Sequence, residues 1–379
     1  MCGIAGGLNC SSIDARTVSE SLKHRGPDDF GEYEWRQCRL FHTRLAIQDI
    51  VGGTQPMERD GCVIVFNGEI YNHQELRTEL EGFEFRTYAD TETLLCMYLK
   101  YGVEMFDRID GMYALAILDL RDLTLFLATD RAGKKPLYIY RDREKLFFAS
   151  ELNTIAACYS LQKDEEAIAS YLRAGFFFGS RTPYEKVERM GSGSWMRIDI
   201  GNMEISRGQY FSMESAYRTA EKIDSESEAL ELLDRALDVS VRNRMLSSDL
   251  EVGAFLSGGI DSSLAVAVAS RYTDRLKTFT VAFDGGYDES RLAELTAVKY
   301  GTEHHVLRIS MNLRDDVERI LSAYGQPFMD SSAIPSWYVS RAAKKHVTVV
   351  LNGDGADELF GGYRRYVPVA HGWMKAARL

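Results

Sequence analysis

The spacing of apolar residues changes part-way along this 379-residue chain, and one fold class cannot accommodate both patterns. The first half reads as short β runs: Cys62–Asn67, Met112–Leu120, Leu123–Thr129, Leu137–Tyr140 and Lys145–Ala149. Arg121-Asp122 and Arg141–Glu144 read as hairpin turns between them. Two helical stretches interrupt, Ser12–His24 and Thr91–Tyr101. The second puts Leu94, Leu95, Tyr98 and Leu99 on one face and stops at Gly102. Many strands with few helices predict an α+β domain of two packed antiparallel sheets with helices outside. Met213–Ser227 is polar and strand-poor and reads as a linker. Beyond it strands alternate with helices. Val252–Leu256, Thr278–Phe283, His304–Ile309 and Val347–Leu351 read as strands; Asp261–Tyr272, Glu289–Tyr300, Leu313–Tyr324 and Ile334–Lys345 read as helices. That alternation predicts an α/β domain with a doubly wound parallel sheet. The expected domains are residues 2–212 and 228–379.

Length and composition agree with two globular domains of about 100–200 residues each. The net charge of −11 disfavours nucleic acid as a partner, because phosphate backbones select basic surfaces. It leaves room for a nucleotide, which needs only a local electropositive site. Six cysteines contain no C-x-x-C pair, so neither a disulfide framework nor a zinc site is expected. No apolar stretch approaches the roughly 18 residues of a membrane span. The N-terminus lacks the basic-then-apolar pattern of a secretory signal. A cytoplasmic enzyme with no membrane partner is the expectation.

Cys2 follows only the initiator methionine. Without Met1, its thiol and a free α-amine share one residue. That amine, with a reference pKa of about 7.7–8.0, is partly neutral at pH 7 and can act as a base. The thiol can then attack an amide carbonyl and form a thioester. Taken alone, Cys2 is an incidental small residue, and its company carries more weight. Met1-Cys2-Gly3-Ile4-Ala5-Gly6 is followed by His24-Arg25-Gly26-Pro27-Asp28-Asp29 and Thr43-Arg44-Leu45-Ala46-Ile47. Then come Phe66-Asn67-Gly68-Glu69-Ile70-Tyr71-Asn72, Ala89-Asp90-Thr91-Glu92, Thr129-Asp130-Arg131-Ala132-Gly133-Lys134-Lys135-Pro136-Leu137-Tyr138 and Ala149-Ser150-Glu151-Leu152. Together these strings resemble the N-terminal-nucleophile glutaminase domain of class II amidotransferases. The resemblance implies that Cys2 is the nucleophile and that Asn67 and the Gly68 N–H stabilise the oxyanion. It also implies that Arg44 clamps the glutamine carboxylate through a bidentate fork. Asp90 and Glu69 would hold the glutamine ammonium, with Leu45 and Ile47 beside the substrate.

In the second half, Val252–Leu256 runs into Ser257-Gly258-Gly259-Ile260-Asp261-Ser262-Ser263 and then a helix. Glycines at a strand-to-helix turn expose backbone N–H groups at a helix N-terminus, a ready anion site. The string lacks the terminal Gly-Lys-Ser/Thr of a Walker A loop and resembles the pyrophosphate loop of the ATP-pyrophosphatase family. A second string, Asn352-Gly353-Asp354-Gly355-Ala356-Asp357-Glu358-Leu359-Phe360-Gly361-Gly362-Tyr363, resembles the second signature of the asparagine synthetase domain. By resemblance, groups at Phe255, Leu256, Val281, Asn352 and Gly353 contact the adenosine of ATP. Ser257, Gly258, Gly259, Asp261, Ser262 and Ser263 line the phosphates. Asp261 and Asp357 hold Mg2+, and Asp354 acts where an acyl-adenylate forms.

Both halves in this order resemble the glutamine-hydrolysing asparagine synthetase family. The implied substrates are glutamine, ATP with Mg2+, and a carboxylate acceptor, aspartate by default. Relatives continue past the position of Leu379 into a helical region that completes the acceptor site, so the second domain is expected to be incomplete at its C-terminal end. Gln326 precedes Pro327 where many relatives carry an acidic residue. These departures leave other readings open: a glutaminase and nucleotide-binding subunit that needs a complementing partner chain, a homodimer, or an enzyme acting on another acceptor such as a sugar acid.

Overall fold

A computed structural model describes residues 1–283, 289–309, 312–368 and Gly372. Contacts divide the chain into two compact units, Met1–Ile223 with Leu313–Ile334, and Asp224–Asn312 with Pro335–Leu379.

The first unit contains strands β1 (Gly3–Leu8), β2 (Asp29–Trp35), β3 (Cys38–Arg44), β4 (Met57–Arg59), β5 (Cys62–Ile70) and β6 (Gly111–Asp119). They are followed by β7 (Thr124–Thr129), β8 (Tyr138–Asp142), β9 (Lys145–Ala149), β10 (Val187–Arg189), β11 (Ser194–Asp199) and β12 (Ile205–Gln209). They build two antiparallel sheets, ordered β10-β8-β9-β1-β3-β2 and β12-β11-β7-β6-β5-β4. Alternation along each strand decides which side chains meet between the sheets. Ile4 and Leu8, Cys38 and Leu40, and Leu146 and Phe148 come from one sheet. Val63 and Val65, Ala114 and Ala116, and Leu125 and Leu127 come from the other, all in one fully buried core.

The opposite faces are covered by helices. Phe41, Phe147 and Ala149 pack with Val18 and Leu22 of α1 (Ala15–Leu22). Ile64, Phe66 and Leu115 pack with Leu76 of α2 (His73–Glu79) and with Leu94, Leu95 and Tyr98 of α3 (Asp90–Tyr101). The result is the expected pair of antiparallel sheets between helical layers. α1 is shorter than the sequence reading because the Asp14 carboxylate accepts from the N–H groups of Arg16 and Thr17, which fixes the N-cap one residue before Ala15. α3 ends where Gly102 takes a φ of 55°. α4 (Leu152–Cys158), α5 (Glu165–Ala174) and α6 (Met213–Thr219) follow, the last inside the segment read as a linker.

In the second unit, β13 (Val252–Phe255), β14 (Lys277–Phe283), β15 (Glu303–Ile309) and β16 (Val349–Leu351) form one parallel sheet in the order β15-β14-β13-β16. Its helices are α7 (Glu226–Leu246), α8 (Ile260–Ala269) and α9 (Ser290–Tyr300). Then come α10 (Leu313–Tyr324), α11 (Ala333–Ala343) and α12 (Ala356–Phe360). Ala254 and Leu256 pack against Val241, Val266, Ala269, Ala293 and Ala297 on one face. Phe279 packs against Ala343 and Val347 on the other, so the sheet is wound on both faces. Sequence reading passed over α7. Its signal was a capping box: Ser225 accepts from the Glu228 N–H, with glutamate three residues on. α10 groups with the first unit, where the Asn153 side chain donates to the Ser322 carbonyl at 2.8 Å.

Candidate functional site

Strand β1 lies between β9 and β3, so the residue before Gly3 emerges at the mouth of the first unit's sandwich. That residue is Cys2. Its sulfur accepts from the Leu45 N–H at 3.4 Å and faces the Leu45 carbonyl at 3.7 Å. Its own carbonyl accepts from Arg25 Nε at 2.9 Å. The Arg25 guanidinium is held in turn by the Glu151 carboxylate at 2.9 Å, which also meets His24. Burial pushes the Glu151 carboxyl up, but hydrogen bonds from His24 and Arg25 outweigh it and leave the group below the ordinary range. Burial also pushes the Cys2 thiol up, against the Leu45 N–H, and the charges of Glu69 and Asp90 push it further. These raising effects favour the protonated thiol over the thiolate.

Beyond Ile64, β5 has no strand on its β4 side, because β4 pairs only Cys62–Ile64. The N–H groups that point to this open edge recur every second residue. The Phe66 N–H is taken by Gln55 Oε1 at 2.7 Å and the Ile70 N–H by Asp90 Oδ2 at 2.9 Å. Gly68 lies between them, so its N–H points to the same edge. A Cβ on Gly68 would fall 2.2 Å from the Met112 carbonyl, so the close pairing of β5 with β6 demands glycine here. Asn67 is 1% exposed, and among the described residues neither its Oδ1 nor its Nδ2 has a hydrogen-bond partner. Buried amides are ordinarily satisfied, so this group has hydrogen-bonding capacity open to a water or a ligand.

Arg44 ends β3, and Asp90 opens α3. The Arg44 guanidinium donates to the carbonyls of Ile50 at 3.0 Å, Asp49 at 2.6 Å and Gln48 at 3.5 Å, which aims it at the loop following Leu45 and Ile47. A Cβ on Gly53 would fall 2.7 Å from Arg44 Nη2, so this glycine gives the guanidinium its space. Asp90 is buried. Desolvation pushes its carboxyl up to about 6, opposed by the N–H groups of Ile70 and Thr91. A positively charged ligand group would favour its ionised form. Glu69 stands one residue after Gly68 on β5.

In the second unit the chain runs from β13 through β14 to β15 on one side, then returns to place β16 on the other side of β13. The two sequence strings leave the carboxyl ends of β13 and β16 at this reversal, the place where wound sheets bind ligands. The Ser257 hydroxyl lies 2.8 Å from that of Ser262 and accepts from the Gly259 N–H at 3.1 Å, closing the loop on itself. The Gly258 N–H donates to Glu289 Oε2 at 3.1 Å. A carboxyl oxygen therefore sits on a backbone N–H of the loop. Gly353 lies so close to α8 that a Cβ would be 3.1 Å from both Asp261 Cβ and the Ser262 nitrogen. Asn352 Nδ2 donates to Asp354 Oδ2 at 2.6 Å. Ser263 Oγ meets Thr296 at 3.2 Å. Thr280 on β14 bonds the Leu256 carbonyl, fixing the strand end next to Phe255, and Val281 follows on β14.

The glutamine amidotransferase domain family matches residues 1–211, and the asparagine synthase family matches residues 232–379. A putative glutamine-hydrolysing asparagine synthetase 2 of Methanocaldococcus jannaschii is 34% identical over 97% of this chain and 76% of its own length. The chain belongs to the glutamine-hydrolysing asparagine synthetase family. The glutamine-hydrolysing asparagine synthetase 1 of Bacillus subtilis is 36% identical over 97% of this chain and 59% of its own length. The chain thus spans about three-fifths of that relative. A solved B. subtilis glutamine phosphoribosylpyrophosphate amidotransferase covers 80% of this chain and 65% of its own at 16% identity, with a TM-score of 0.43.

Within this asparagine synthetase relative, Cys2 and Leu45 are in direct contact, and Arg44 orders the loop that carries Leu45 and Ile47. Asp90 touches the strand of Asn67, Gly68 and Glu69 through Ile70. In the second unit, Gly353 brings the two loops together at Asp261 and Ser262. Asp357 is the second residue of α12, and its carboxylate would meet a Cβ on Gly362 at 2.0 Å. Sequence reasoning gave no role to Arg25 and Glu151, although both lie inside quoted strings. It also passed over Gln55, which is visible only once β5 is known to have an open edge. Lys135 is a further buried group. Burial pulls its amine down to about 8, and it lies against the Met1 sulfur.

Proposed function

We propose that this chain is a glutamine-dependent amidotransferase: it releases ammonia from glutamine at Cys2 and uses Mg-ATP to activate a carboxylate that the ammonia amidates. The observation that carries the reading is the open edge of β5, with the Gly68 N–H on it and the unpartnered Asn67 amide beside it, on the strand whose Glu69 charge acts on the Cys2 thiol. With Met1 removed, the Cys2 α-amine takes the thiol proton as sulfur attacks the glutamine amide carbon. The Gly68 N–H and Asn67 Nδ2 receive the oxyanion. The proton passes to the departing ammonia, and water cleaves the thioester to glutamate. Arg44 holds the α-carboxylate, while ionised Asp90 with Glu69 holds the α-ammonium. Arg25 keeps the Cys2 carbonyl, and with it the nucleophile, in place.

In the second unit the acceptor carboxylate attacks the α-phosphorus of ATP and pyrophosphate leaves; ammonia then displaces AMP. The donors of the Ser257–Ser263 loop suit the phosphates, since Gly258 already binds a carboxylate oxygen. The described residues hold no group of three or more His, Cys, Asp or Glu side chains that could bind a metal by themselves. Magnesium commonly takes one or two protein carboxylates and completes its shell with phosphates and water, so Asp261 and Asp357 suffice. Bound there, it would neutralise charge on the departing pyrophosphate. Aspartate is the proposed acceptor, and Asp354 lies on the loop where the acyl-adenylate forms.

The test follows glutamate and pyrophosphate together, on the purified chain with glutamine, Mg-ATP and aspartate. Both should appear, and Cys2→Ala should abolish glutamate formation while leaving thermal unfolding unchanged. Normal glutamine hydrolysis by Cys2→Ala would refute the nucleophile assignment. Glutamate without aspartate-dependent pyrophosphate would refute aspartate as the acceptor.

A further inference from the structure

Gln48 is four residues past Arg44, in the loop after β3, and it bonds to both ends of the glutamine site. Its Oε1 accepts from the Asp90 N–H at 3.1 Å. Its Nε2 lies 2.9 Å from His73 Nε2. Its main-chain carbonyl accepts from Arg44 Nη2 at 3.5 Å. The neighbouring Asp49 adds a second tie, accepting from the Tyr88 N–H at 2.7 Å through Oδ2. The loop is thus strapped to the residues that lead into α3.

The need for such a strap is visible in α3 itself. Its N-cap is Ala89, which has no side chain able to accept from the first-turn N–H groups. An uncapped helix start leaves donors unsatisfied and frays. Gln48 supplies an acceptor from a distant loop, at the residue whose carboxylate is assigned to the glutamine ammonium.

We propose that Gln48 is a positioning residue for the α-ammonium of glutamine, fixing the start of α3 and the Asp90 carboxylate through a cap supplied from outside the helix. The polarity of the chain of bonds is determined. A backbone N–H only donates, so the Gln48 oxygen faces Asp90 and its nitrogen faces His73. The Gln48 NH2 then donates to His73 Nε2, which places the imidazole proton on Nδ1 and makes His73 neutral. His73 is 3% exposed at the first position of α2, so it anchors the amide from a rigid element. Gln48 itself touches no substrate in this scheme; it acts through Asp90. The inference rests on the glutamine-binding reading above.

The test separates Gln48 from a residue that only supports the fold. Binding of L-glutamine and of 4-carbamoylbutanoate, which lacks the α-ammonium, is measured by calorimetry on the non-hydrolysing Cys2→Ala chain. Adding Gln48→Met should weaken L-glutamine binding about tenfold, as expected when one well-placed hydrogen bond is lost, and leave 4-carbamoylbutanoate binding within about twofold. Gln48→Glu keeps an oxygen for the Asp90 N–H and should recover most of the lost preference. If Gln48→Met does not fold, His73→Leu frees the same amide from its other side and should lower the preference for L-glutamine in the same direction. Equal loss for both ligands, or no loss for either, overturns the proposal while the glutamine site stands. Failure of the Cys2→Ala chain to bind L-glutamine at all removes the site and the proposal together.

Discussion

Asn67→Leu should make the protein more stable and less active at once. The Asn67 amide is buried, and among the described residues both its polar atoms lack partners. Leaving a buried polar group unsatisfied costs about 1–3 kcal/mol, whereas an apolar group of the same shape carries no such penalty. Leucine has a closely similar outline. A gain at the low end of that range, after some repacking loss, raises Tm by about 2–4 °C for a domain of this size. The same change removes a donor to the oxyanion, a loss that lowers kcat by about 10²–10³. Thermal denaturation and glutamate release on the same samples measure both quantities. A fall in Tm would show that the amide holds the fold, and unchanged kcat would show that it does not receive the oxyanion; either result refutes the reasoning.

Asp90 should destabilise the fold as it ionises. Burial raises its folded pKa to about 6, above the ordinary carboxyl value, so the folded state binds more protons between those values. Stability should therefore be greatest below about pH 4 for this group and fall by about 2–3 kcal/mol as pH rises through 6. Asp90→Asn removes that slope in pH-dependent unfolding and raises the glutamine KM; an unchanged slope refutes the burial argument. Gly68→Ala places a Cβ 2.2 Å from the Met112 carbonyl and should both lower Tm and abolish glutamine hydrolysis, since β5 and β6 must part to admit it. Normal glutaminase activity in that variant would show that the β5 edge is not the reaction site. Asp261→Asn should weaken Mg-ATP-dependent pyrophosphate release, and unchanged release would remove Asp261 from the metal.

The layers of the first unit were legible because successive residues turn to opposite layers along β5, β6, β7 and β9. Each strand carries two hydrophobic faces, one for the facing sheet and one for a helix. The parallel sheet was legible from its alternation with helices. α7 was not, because its apolar residues do not form one buried face: Leu230 and Val239 stay exposed, and only Val241 is fully buried. Its capping box and high helix propensity were the available signals. The candidate site divides along the same line. Residues in compact strings could be named in advance, whereas Gln48 and Gln55 act through side chains that reach across loops to backbone N–H groups. No pattern in sequence registers such a contact until the strand edge and the helix start it serves are in place.

On the proposed reading, the position of the Cys2 nucleophile and its chemistry have one physical origin. Cys2 leads into β1, a strand of a six-stranded sheet held by β3 on one side and β9 on the other. That fixes the sulfur at the end of the sheet and half-buries the residue, and desolvation raises the thiol above its ordinary pKa. A protonated thiol is a weak nucleophile until a base takes its proton. On the proposed reading, with Met1 removed, the α-amine of Cys2 itself would provide that base without a second side chain, because it is covalently attached and needs no packing of its own. The cationic neighbours then matter. Arg25 donates to the Cys2 carbonyl, and the buried amine of Lys135 lies against Met1. Positive charge beside an α-amine favours its neutral form, the one that can accept the thiol proton. On that reading, desolvation that disfavours the thiolate and cations that disfavour the ammonium would act together, holding the proton on sulfur at rest and readying the amine to take it when a glutamine amide enters.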